Sequence, residues 1–527
     1  SCPLFVFASG QSFLHQILDT YVSPDLNVRE VRIGLRSEDM QQAQYLLSRK
    51  EYPFAVSLIK CDTTAGPLET VLRLHSKNQI KNEKVVVQLG DTFCKFDWSK
   101  VLSRDHGAVV TFDEKAIRRL ATADVAFEEA VDHITRGSEN SAAHLKKAGF
   151  LGIYWFLSAE HVEMLDPTGP VESLIFDSRS HLPPLYCEGT DWVDADYEDR
   201  FSEQQSKFFE SRAFNEVSKD QSGLYILKTS KDKAKLSREH SFLRSLPVAI
   251  AGLFPQERGL TLEETTATLV QDYWPFPNLS DLYTFQFLPD SFWQGLMLRL
   301  NEALTALHSY PSAGSGSLGV WAFETKSLER LDQLSGHEAF KELVSDRTQI
   351  NGVLCQRPRD IIQEAKTLLS EMIAQESIVH GDFCFSNILV DPHTLTIKLI
   401  DPRGGFIEES MYGPTCYDPA KLFHSLVGGY DSILKGFSKV DRLEAGVFEL
   451  RLSLPNHHSI AIDSMCDAFG FDEREFQLLK LASALILMSI PPLHLDSVER
   501  AKTFLLKGIE DGNAALTALR KMPGGEG

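Results

Sequence analysis

Residues 378–401 read IVHGDFCFSNILVDPHTLTIKLID. Two β-branched residues, Ile378 and Val379, lead into the break His380-Gly381-Asp382. Asn387 follows with four residues between, and directly precedes the apolar run Ile388-Leu389-Val390. Asp391-Pro392-His393-Thr394 then separates that run from Ile397-Lys398-Leu399-Ile400. Two short apolar runs around a turn-forming tetrapeptide predict a strand-turn-strand unit. Asp401 closes the second run, so one compact unit carries two carboxylates and a carboxamide at its strand ends.

These residue types suit one kind of chemistry. A carboxylate at Asp382 can orient and deprotonate a hydroxyl. Oxygen donors from Asn387 and Asp401 suit a hard cation such as Mg²⁺. Phosphoryl transfer asks little more of a protein than these two services. Each residue taken singly reads better as a turn cap; the three in this order argue for the chemistry. The pattern His380-Gly381-Asp382, four residues, Asn387, then a strand ending in Asp401 resembles the catalytic and metal loops of the aminoglycoside phosphotransferase / choline kinase family, relatives of the protein kinases. The resemblance implies an α+β, protein-kinase-like bilobal domain. It implies Asp382 as catalytic base, Asn387 and Asp401 as metal ligands, ATP and Mg²⁺ as cofactors, and a small hydroxylated molecule as acceptor. His380 is expected to pack and orient the loop.

The upstream parts of such a domain have candidates. Residues 223–228 read as a strand, residues 235–246 as a helix closed by Pro247, and residues 267–272 as a further strand. The resemblance implies that Lys228 reaches the nucleotide phosphates and that Glu239 pairs with it. A surface lysine and a solvated glutamate are the plainer reading, and Lys231, Lys233 and Lys235 are rivals for the lysine. Residues 211–215 stand where a phosphate-covering turn would fall, without a glycine-rich signature. Tyr273, within residues 271–275, stands where an adenine-binding hinge would fall; an aromatic loop packed on the core is the other reading.

Some residues depart from the family pattern. Pro402-Arg403-Gly404-Gly405 follows Asp401, and Phe383-Cys384-Phe385-Ser386 fills the catalytic loop. Both leave the acceptor open. Asp418, in the run from Tyr417 to Leu422, reads as a helix N-cap. Lys326 and Arg330, within residues 323–330, lie where the resemblance implies the helical insert that holds the acceptor; a solvated helix face is the plainer reading, and binding of an anionic acceptor is the other.

The N-terminal part has another rhythm. Strand patterns at residues 28–33, 54–59 and 83–89 alternate with helical patterns at residues 37–50, capped by Ser37, and 69–75. This predicts a mostly parallel sheet covered by helices. Thr64-Ala65-Gly66-Pro67-Leu68-Glu69-Thr70-Val71, residues 85–91 and 148–154, and Trp192-Val193-Asp194 resemble the sugar-1-phosphate nucleotidyltransferases over residues 3–197. The resemblance implies a Rossmann-like α/β domain with Asp91 and Asp194 at a metal and Gly66 near a nucleotide base; turn caps remain the alternative for each aspartate. Cys2-Pro3-Leu4 stands where that family carries Pro-Lys-Pro-Leu, and no glycine-rich phosphate cradle precedes it. The expectation is a degenerate domain, or one whose cradle lies upstream of Ser1.

The expected division is therefore residues 1–200, nucleotidyltransferase-like; 201–275, the small kinase-like lobe; and 276–527, the large one. The 527 residues carry a net charge of −20, from 53 basic and 73 acidic residues. That balance sets aside nucleic acid and anionic lipid surfaces as main partners and leaves a nucleotide and a small molecule. The longest apolar run, residues 481–490, is shorter than the roughly 18–20 residues a membrane span needs and reads as a buried helix. No leader pattern opens the chain. The eight cysteines share no CxxC spacing, which fits a reducing, cytoplasmic setting without structural zinc. The leading expectation is a kinase for a sugar or amino alcohol, supplying a building block of surface polysaccharide. The alternatives are a bifunctional kinase/nucleotidyltransferase and a nucleotide-binding pseudokinase scaffold.

Overall fold

The computed structural model describes residues 7–8, 11–22, 26, 28–62, 67–74, 84–88, 92–95, 107–111, 122–126, 145–157, 185–188, 190–194, 215–220, 222–312, 314 and 316–522. The chain divides into two compact units, Ser1–Phe208 and Phe209–Gly527.

In the first unit a short hairpin, β1 (Phe7–Ala8) and β2 (Gln11–Ser12), leads into α1 (Phe13–Thr20). β3 (Glu30–Leu35) and β4 (Ala55–Lys60) pair in parallel, with α2 (Met40–Ser48) in the connection and α3 (Pro67–Leu74) after them. A second sheet holds β5 (Lys84–Gln88), β7 (Gly107–Thr111), β8 (Thr122–Ala126), β9 (Leu145–Leu157) and β10 (Leu185–Glu188). β6 (Thr92–Lys95) pairs with β11 (Thr190–Asp194). The expectation of a mostly parallel sheet is corrected here. In the second sheet only β10 and β7 run parallel, while β9 runs antiparallel to β5, β7 and β8. Hydrophobic periodicity specifies that a segment is a strand; it does not specify which neighbour it pairs with or in which direction.

The second unit opens with a four-stranded antiparallel sheet. Its strands are β12 (Asn215–Lys219), β13 (Tyr225–Ser230), β14 (Glu257–Leu262) and β15 (Ala267–Asp272), in the order β12-β13-β15-β14. Helix α4 (Lys233–Ser245) lies between β13 and β14 in sequence. Asp232 caps it by accepting the Lys235 N–H at 3.0 Å, and Leu246 turns extended ahead of Pro247. A mainly helical part follows, with α5 (Leu279–Phe285), α6 (Asp290–His308), α7 (Lys326–Ser335) and α8 (Pro358–Leu368). The hairpin β16 (Ile388–Val390) and β17 (Ile397–Leu399) interrupts it, before α9 (Tyr417–Leu426). A small sheet-bearing part succeeded by a large helical one gives this unit a bilobal layout.

The helical part also contains a sheet the sequence reading did not foresee. β18 (Ser438–Glu444) and β19 (Val447–Leu452) form a hairpin, and Gln349–Ile350 and Val353–Leu354 extend it. Phe448 and Leu450 alternate into the core on β19. Helices α10 (His458–Phe469), α11 (Glu473–Ser489) and α12 (Val498–Arg520) complete the unit. The run at residues 481–490 is buried throughout, mostly within α11, and no helix among the described residues is long and apolar enough to cross a membrane.

The core of this unit explains why residues 380–399 hold one shape. Phe383, Phe385, Ile388, Val390 and Leu399 are buried against Trp293, Met297 and Leu300 of α6 and Leu422, Phe423 and Leu426 of α9. Phe383 and Phe385 are thus anchors. Each buried phenyl contributes about 1.5–3 kcal/mol, and between them they fix the loop that carries Asp382.

Candidate active site

Strand register and one helix face assemble the first half of the site. Lys228 on β13 lies opposite Leu269 on β15, and Ile226 lies opposite Gln271. Residues two apart on a strand share a face, so Lys228 and Gln271 point to the same side of the sheet. Leu236, Glu239 and Phe242 form the buried face of α4, and Leu236 packs on Ala267 and Leu269 of that same side. Glu239 therefore meets Lys228 Nζ at 2.7 Å and Gln271 Nε2 at 2.8 Å. Only 2% of its surface is exposed, so both donors are needed to offset the loss of water. Lys233 and Lys235 do not join this pair; Lys233 reaches the carbonyls of Glu263 and Glu264 at 3.1 and 2.9 Å.

The loop and hairpin supply the second half. Hairpin register sets Ile388 opposite Leu399, and the Ile400 N–H donates to the Asn387 carbonyl at 2.9 Å. That extends the ladder by one step and brings Asn387 beside the segment leading to Asp401. Asn387 Nδ2 donates to the Asp382 carbonyl oxygen and to Asp382 Oδ2, both at 3.0 Å. Asp401 takes a left-handed conformation, φ +57°, and its carboxylate meets Lys228 Nζ. A non-glycine residue held in that region costs about 1–3 kcal/mol and persists only where the surroundings enforce it. Gly404 enforces part of it. A Cβ there would lie 2.7 Å from the Arg238 backbone on α4, at φ +70°. Gly404 thus permits a close approach to the helix that carries Glu239.

Helix α9 holds the loop from the other side. Asp418, Lys421 and Ser425 stand at i, i+3 and i+7, one face of a helix. Asp418 accepts the N–H of His380 at 2.7 Å and that of Gly381 at 2.8 Å. Lys421 Nζ lies 2.9 Å from Asp382 Oδ1, and Ser425 Oγ accepts the Phe385 N–H at 3.0 Å. The reading of Asp418 as an N-cap is corrected: the cap position is Cys416, and the buried carboxylate serves backbone donors of a different segment. Lys421 and Ser425 were not singled out in the sequence. Their signal was present, since polar residues at i, i+3 and i+7 share a helix with the apolar run Leu422, Phe423, Leu426.

The electrostatics follow from burial and neighbours. Burial works against ionising Asp382, but Lys421, Arg403 and His380 beside it hold its carboxyl below the ordinary carboxylate range. Burial opposes the charged form of Lys421 too, and Asp382 overcomes it. His380 is lowered to about 4, chiefly by burial, and is neutral at ordinary pH. Its Nδ1 accepts the Asp382 N–H at 3.2 Å, so its Nε2 carries the hydrogen and donates to the Ile400 carbonyl at 2.9 Å. Burial raises Asp418 to about 7 despite its two N–H donors. Asp401 is pushed up by burial and pulled below its ordinary value by Lys228.

The residues present fit a magnesium ion. Asn387 and Asp401 offer hard oxygen donors, and Mg²⁺ completes its shell with water and substrate phosphates rather than an all-protein cage. Among the described residues no set of three or more His, Cys, Asp and Glu side chains gathers to form such a cage.

The remaining expected positions divide. Tyr273 follows β15, but its N–H is already donated to the Leu224 carbonyl at 2.8 Å, and Lys219 Nζ stands 4.1 Å from its ring centroid. Trp274 next to it carries Lys398 at 4.2 Å, so this loop packs on the hairpin. Residues 211–214 lie outside the described residues, as do Asp91, Gly66 and Cys2. Asp194 ends β11 and pairs with Thr92; its side chain lies outside the described part.

No protein-family model matches the chain. No curated protein matches it either. Solved structures do. A thermostable mutant of aminoglycoside phosphotransferase APH(4)-Ia, in ternary complex with ADP and hygromycin B, is 12% identical with a TM-score of 0.37, covering 58% of this chain and 92% of its own. Aminoglycoside phosphotransferase APH(3'')-Id from Streptomyces rimosus is 15% identical with a TM-score of 0.31, covering 52% of this chain and 91% of its own. HddC from Yersinia pseudotuberculosis is 18% identical with a TM-score of 0.29, covering 39% of this chain and 89% of its own. Likeness this distant leaves the reading of the site to its own geometry.

Proposed function

We propose that the second unit is an ATP-dependent phosphotransferase that acts on a hydroxyl of a small molecule, with Asp382 as the catalytic base. One observation carries the reading. Lys228 on the sheet contacts both Glu239 on α4 and Asp401, which lies 173 residues further along the chain. A cation fixed between two carboxylates, beside a carboxamide and a further carboxylate, is an arrangement for holding polyphosphate against a nucleophile.

In this reading Lys228, set by Glu239, binds the nucleotide phosphates. Asp382 accepts the proton of the acceptor hydroxyl as its oxygen bonds to the γ-phosphorus. The bond from that phosphorus to the β–γ bridging oxygen breaks, and ADP leaves. Asn387 and Lys421 each hold one carboxylate oxygen of Asp382, which fixes the direction of proton transfer. Mg²⁺, held by Asn387 and Asp401, would supply charge neutralisation on the phosphates. The acceptor class is a sugar or amino alcohol, and a building block of surface polysaccharide suits it by analogy alone.

For the first unit, the pairing of Asp194 with Thr92, the residue after Asp91, supports a second reading in which both aspartates serve a nucleotidyltransferase site. Turnover of ATP by the full chain against a panel of sugars and amino alcohols tests the main proposal. Asp382→Ala is expected to lower it at least about 100-fold, and Asp91→Ala to leave it unchanged. ATP binding with no acceptor phosphorylated would favour the scaffold alternative. Pyrophosphate release from CTP or UTP with a sugar phosphate tests the first unit.

A further inference from the structure

Lys326 and Arg330, read from sequence as a solvated helix face, are half-buried on α7. Lys326 Nζ donates to the Tyr417 hydroxyl at 3.3 Å and stands 5.8 Å from its ring centroid. Arg403 donates to the same hydroxyl at 3.5 Å, with its guanidinium 5.0 Å from the Phe406 centroid and 5.9 Å from that of Tyr417. Tyr417 opens the helix that carries Lys421, and Lys421 touches Asp382. Arg403 is fixed by its N–H, donated to the His380 carbonyl at 2.9 Å.

Lys326, Arg403 and Lys421 therefore gather about Tyr417 and Asp382 in a chain of net charge −20, and Arg330 stands four residues on from Lys326, on the same face of α7. Lys421 alone has a carboxylate in ion-pair contact, Asp382, whose charge Arg403 also feels; among the described residues Lys326, Arg330 and Arg403 form no salt bridge. Their mutual effect is felt. Burial lowers Lys326, and Arg403 and Lys421 lower it further; burial lowers Arg330, and Arg403 adds to it. Tyr417, which burial would raise, is instead brought below its ordinary value by Lys326, Arg403 and Lys421. Gathering unpaired, half-buried cations costs free energy unless an anion joins them. The Asp382 side chain keeps 35% of its surface exposed, so an acceptor has room to reach it.

We propose that Lys326, Arg330 and Arg403 form an anion subsite for the acceptor, so that the molecule phosphorylated at Asp382 carries a carboxylate or phosphate ester besides its hydroxyl. This rests on the phosphotransferase reading. It selects an acid sugar or sugar phosphate over a neutral sugar or an amino alcohol, whose cation the subsite would repel. The guanidinium groups suit a planar carboxylate or a phosphate by paired N–H donation.

Two measurements on the full chain test it. The first compares glucose, glucosamine, glucuronate and glucose 6-phosphate as acceptors at saturating ATP and Mg²⁺. The expected result is at least a tenfold higher kcat/KM for glucuronate or glucose 6-phosphate, and whichever wins identifies the anion as carboxylate or phosphate. Lys326→Gln and Arg330→Gln are expected to raise the acceptor KM tenfold or more with the ATP KM unchanged, while Lys326→Arg keeps the acceptor. The second titrates inorganic phosphate into protein saturated with AMP-PNP and Mg²⁺, where saturable binding weakened at least tenfold by Lys326→Gln is expected. Preference for glucose or glucosamine, or a variant effect on the ATP KM instead, overturns the subsite and leaves the kinase reading standing. Turnover of none of the four with no saturable phosphate binding overturns the subsite. Phosphate binding without turnover supports the subsite and counts against the kinase reading.

Discussion

Lys421 Nζ stands 2.9 Å from Asp382 Oδ1, and the helix that places it there also binds the backbone of the same loop through Asp418 and Ser425. The proposed base is thus charged, aimed and held by a single face of α9. Separate consequences follow for charge, for loop order and for backbone conformation.

The charge consequence concerns the pH profile. Lys421 is the largest of the neighbours that keep Asp382 ionised against its burial. In Lys421→Met the carboxyl of Asp382 rises, so the acid limb of kcat/KM moves to higher pH. At neutral pH kcat is expected to fall about 10–100-fold, within the usual range for a mispositioned or mis-ionised base. The ATP KM stays unchanged, because Lys421 contacts neither Lys228 nor Glu239. A profile with an unmoved acid limb would contradict the assigned role.

Loop order depends on Asp418. Asp418→Ala leaves the buried N–H groups of His380 and Gly381 without their acceptor. At about 1–3 kcal/mol for each unsatisfied buried donor, the variant should lose roughly 2–6 kcal/mol. Asp418→Asn keeps one acceptor oxygen and should lose about half as much. Denaturant midpoints give the energies, and amide exchange at residues 380–382 localises them.

Gly381 has φ +78°, and an added Cβ would lie 2.7 Å from Arg403 Cβ. Gly381→Ala therefore combines a left-handed penalty of about 1–2 kcal/mol with a clash against a residue of the proposed anion subsite. The variant is expected to fold, with turnover reduced at least tenfold and acceptor KM raised. An unchanged acceptor KM would separate Arg403 from acceptor binding.

Nucleotide binding should respond to the Lys228 pair. Glu239→Gln removes the charge that fixes Lys228 while keeping a hydrogen-bonding group of the same size. The ATP KM is expected to rise about tenfold with the acceptor KM unchanged, as steady-state kinetics with both substrates varied would show.

Stability should fall in acid. Burial lowers His308 and His380 to about 4 from an ordinary 6.5, and lowers His424 well below that ordinary value. Between those pH values the unfolded chain takes up protons that the folded chain does not, so stability drops as pH falls through the window. Each such proton contributes a slope of up to about 1.4 kcal/mol per pH unit. Asp418 acts in the opposite sense: raised to about 7 from 3.8, it is protonated only in the folded chain over that range, and its contribution is lost as pH rises. Amide exchange in the core of the second unit should therefore show a net acid loss of stability. His380→Asn should flatten it and Asp418→Asn should steepen it.

The order of chemistry along residues 378–401 was legible because it is local. Turn residues, short apolar runs and the spacing from Asp382 to Asn387 and Asp401 are written in consecutive positions, and the hairpin forms at Ile388–Val390 and Ile397–Leu399. The strand ending at Asp272 and the helix carrying Glu239 were legible for the same reason. Lys421 and Asp418 were not, because their partners lie 37 to 39 residues away in sequence, and a helix N-terminal aspartate looks the same whether it caps its own helix or a distant loop. Nor could periodicity tell that β9 runs against its neighbours.

The sequence by itself therefore determined the strands and helices around Lys228, Glu239 and Asp272, and that a carboxylate, a carboxamide and a second carboxylate follow one another around a hairpin. Only the tertiary structure decided that Lys228, besides its expected partner Glu239, meets Asp401, that Asp418 holds a loop, and that Lys326 shares the Tyr417 hydroxyl with Arg403. The physical reason is one of range. Backbone preference and periodicity act over a few residues and are carried by each segment alone. Burial, ion pairing and strand direction depend on which segments come together, and those energies exist only once the chain has folded.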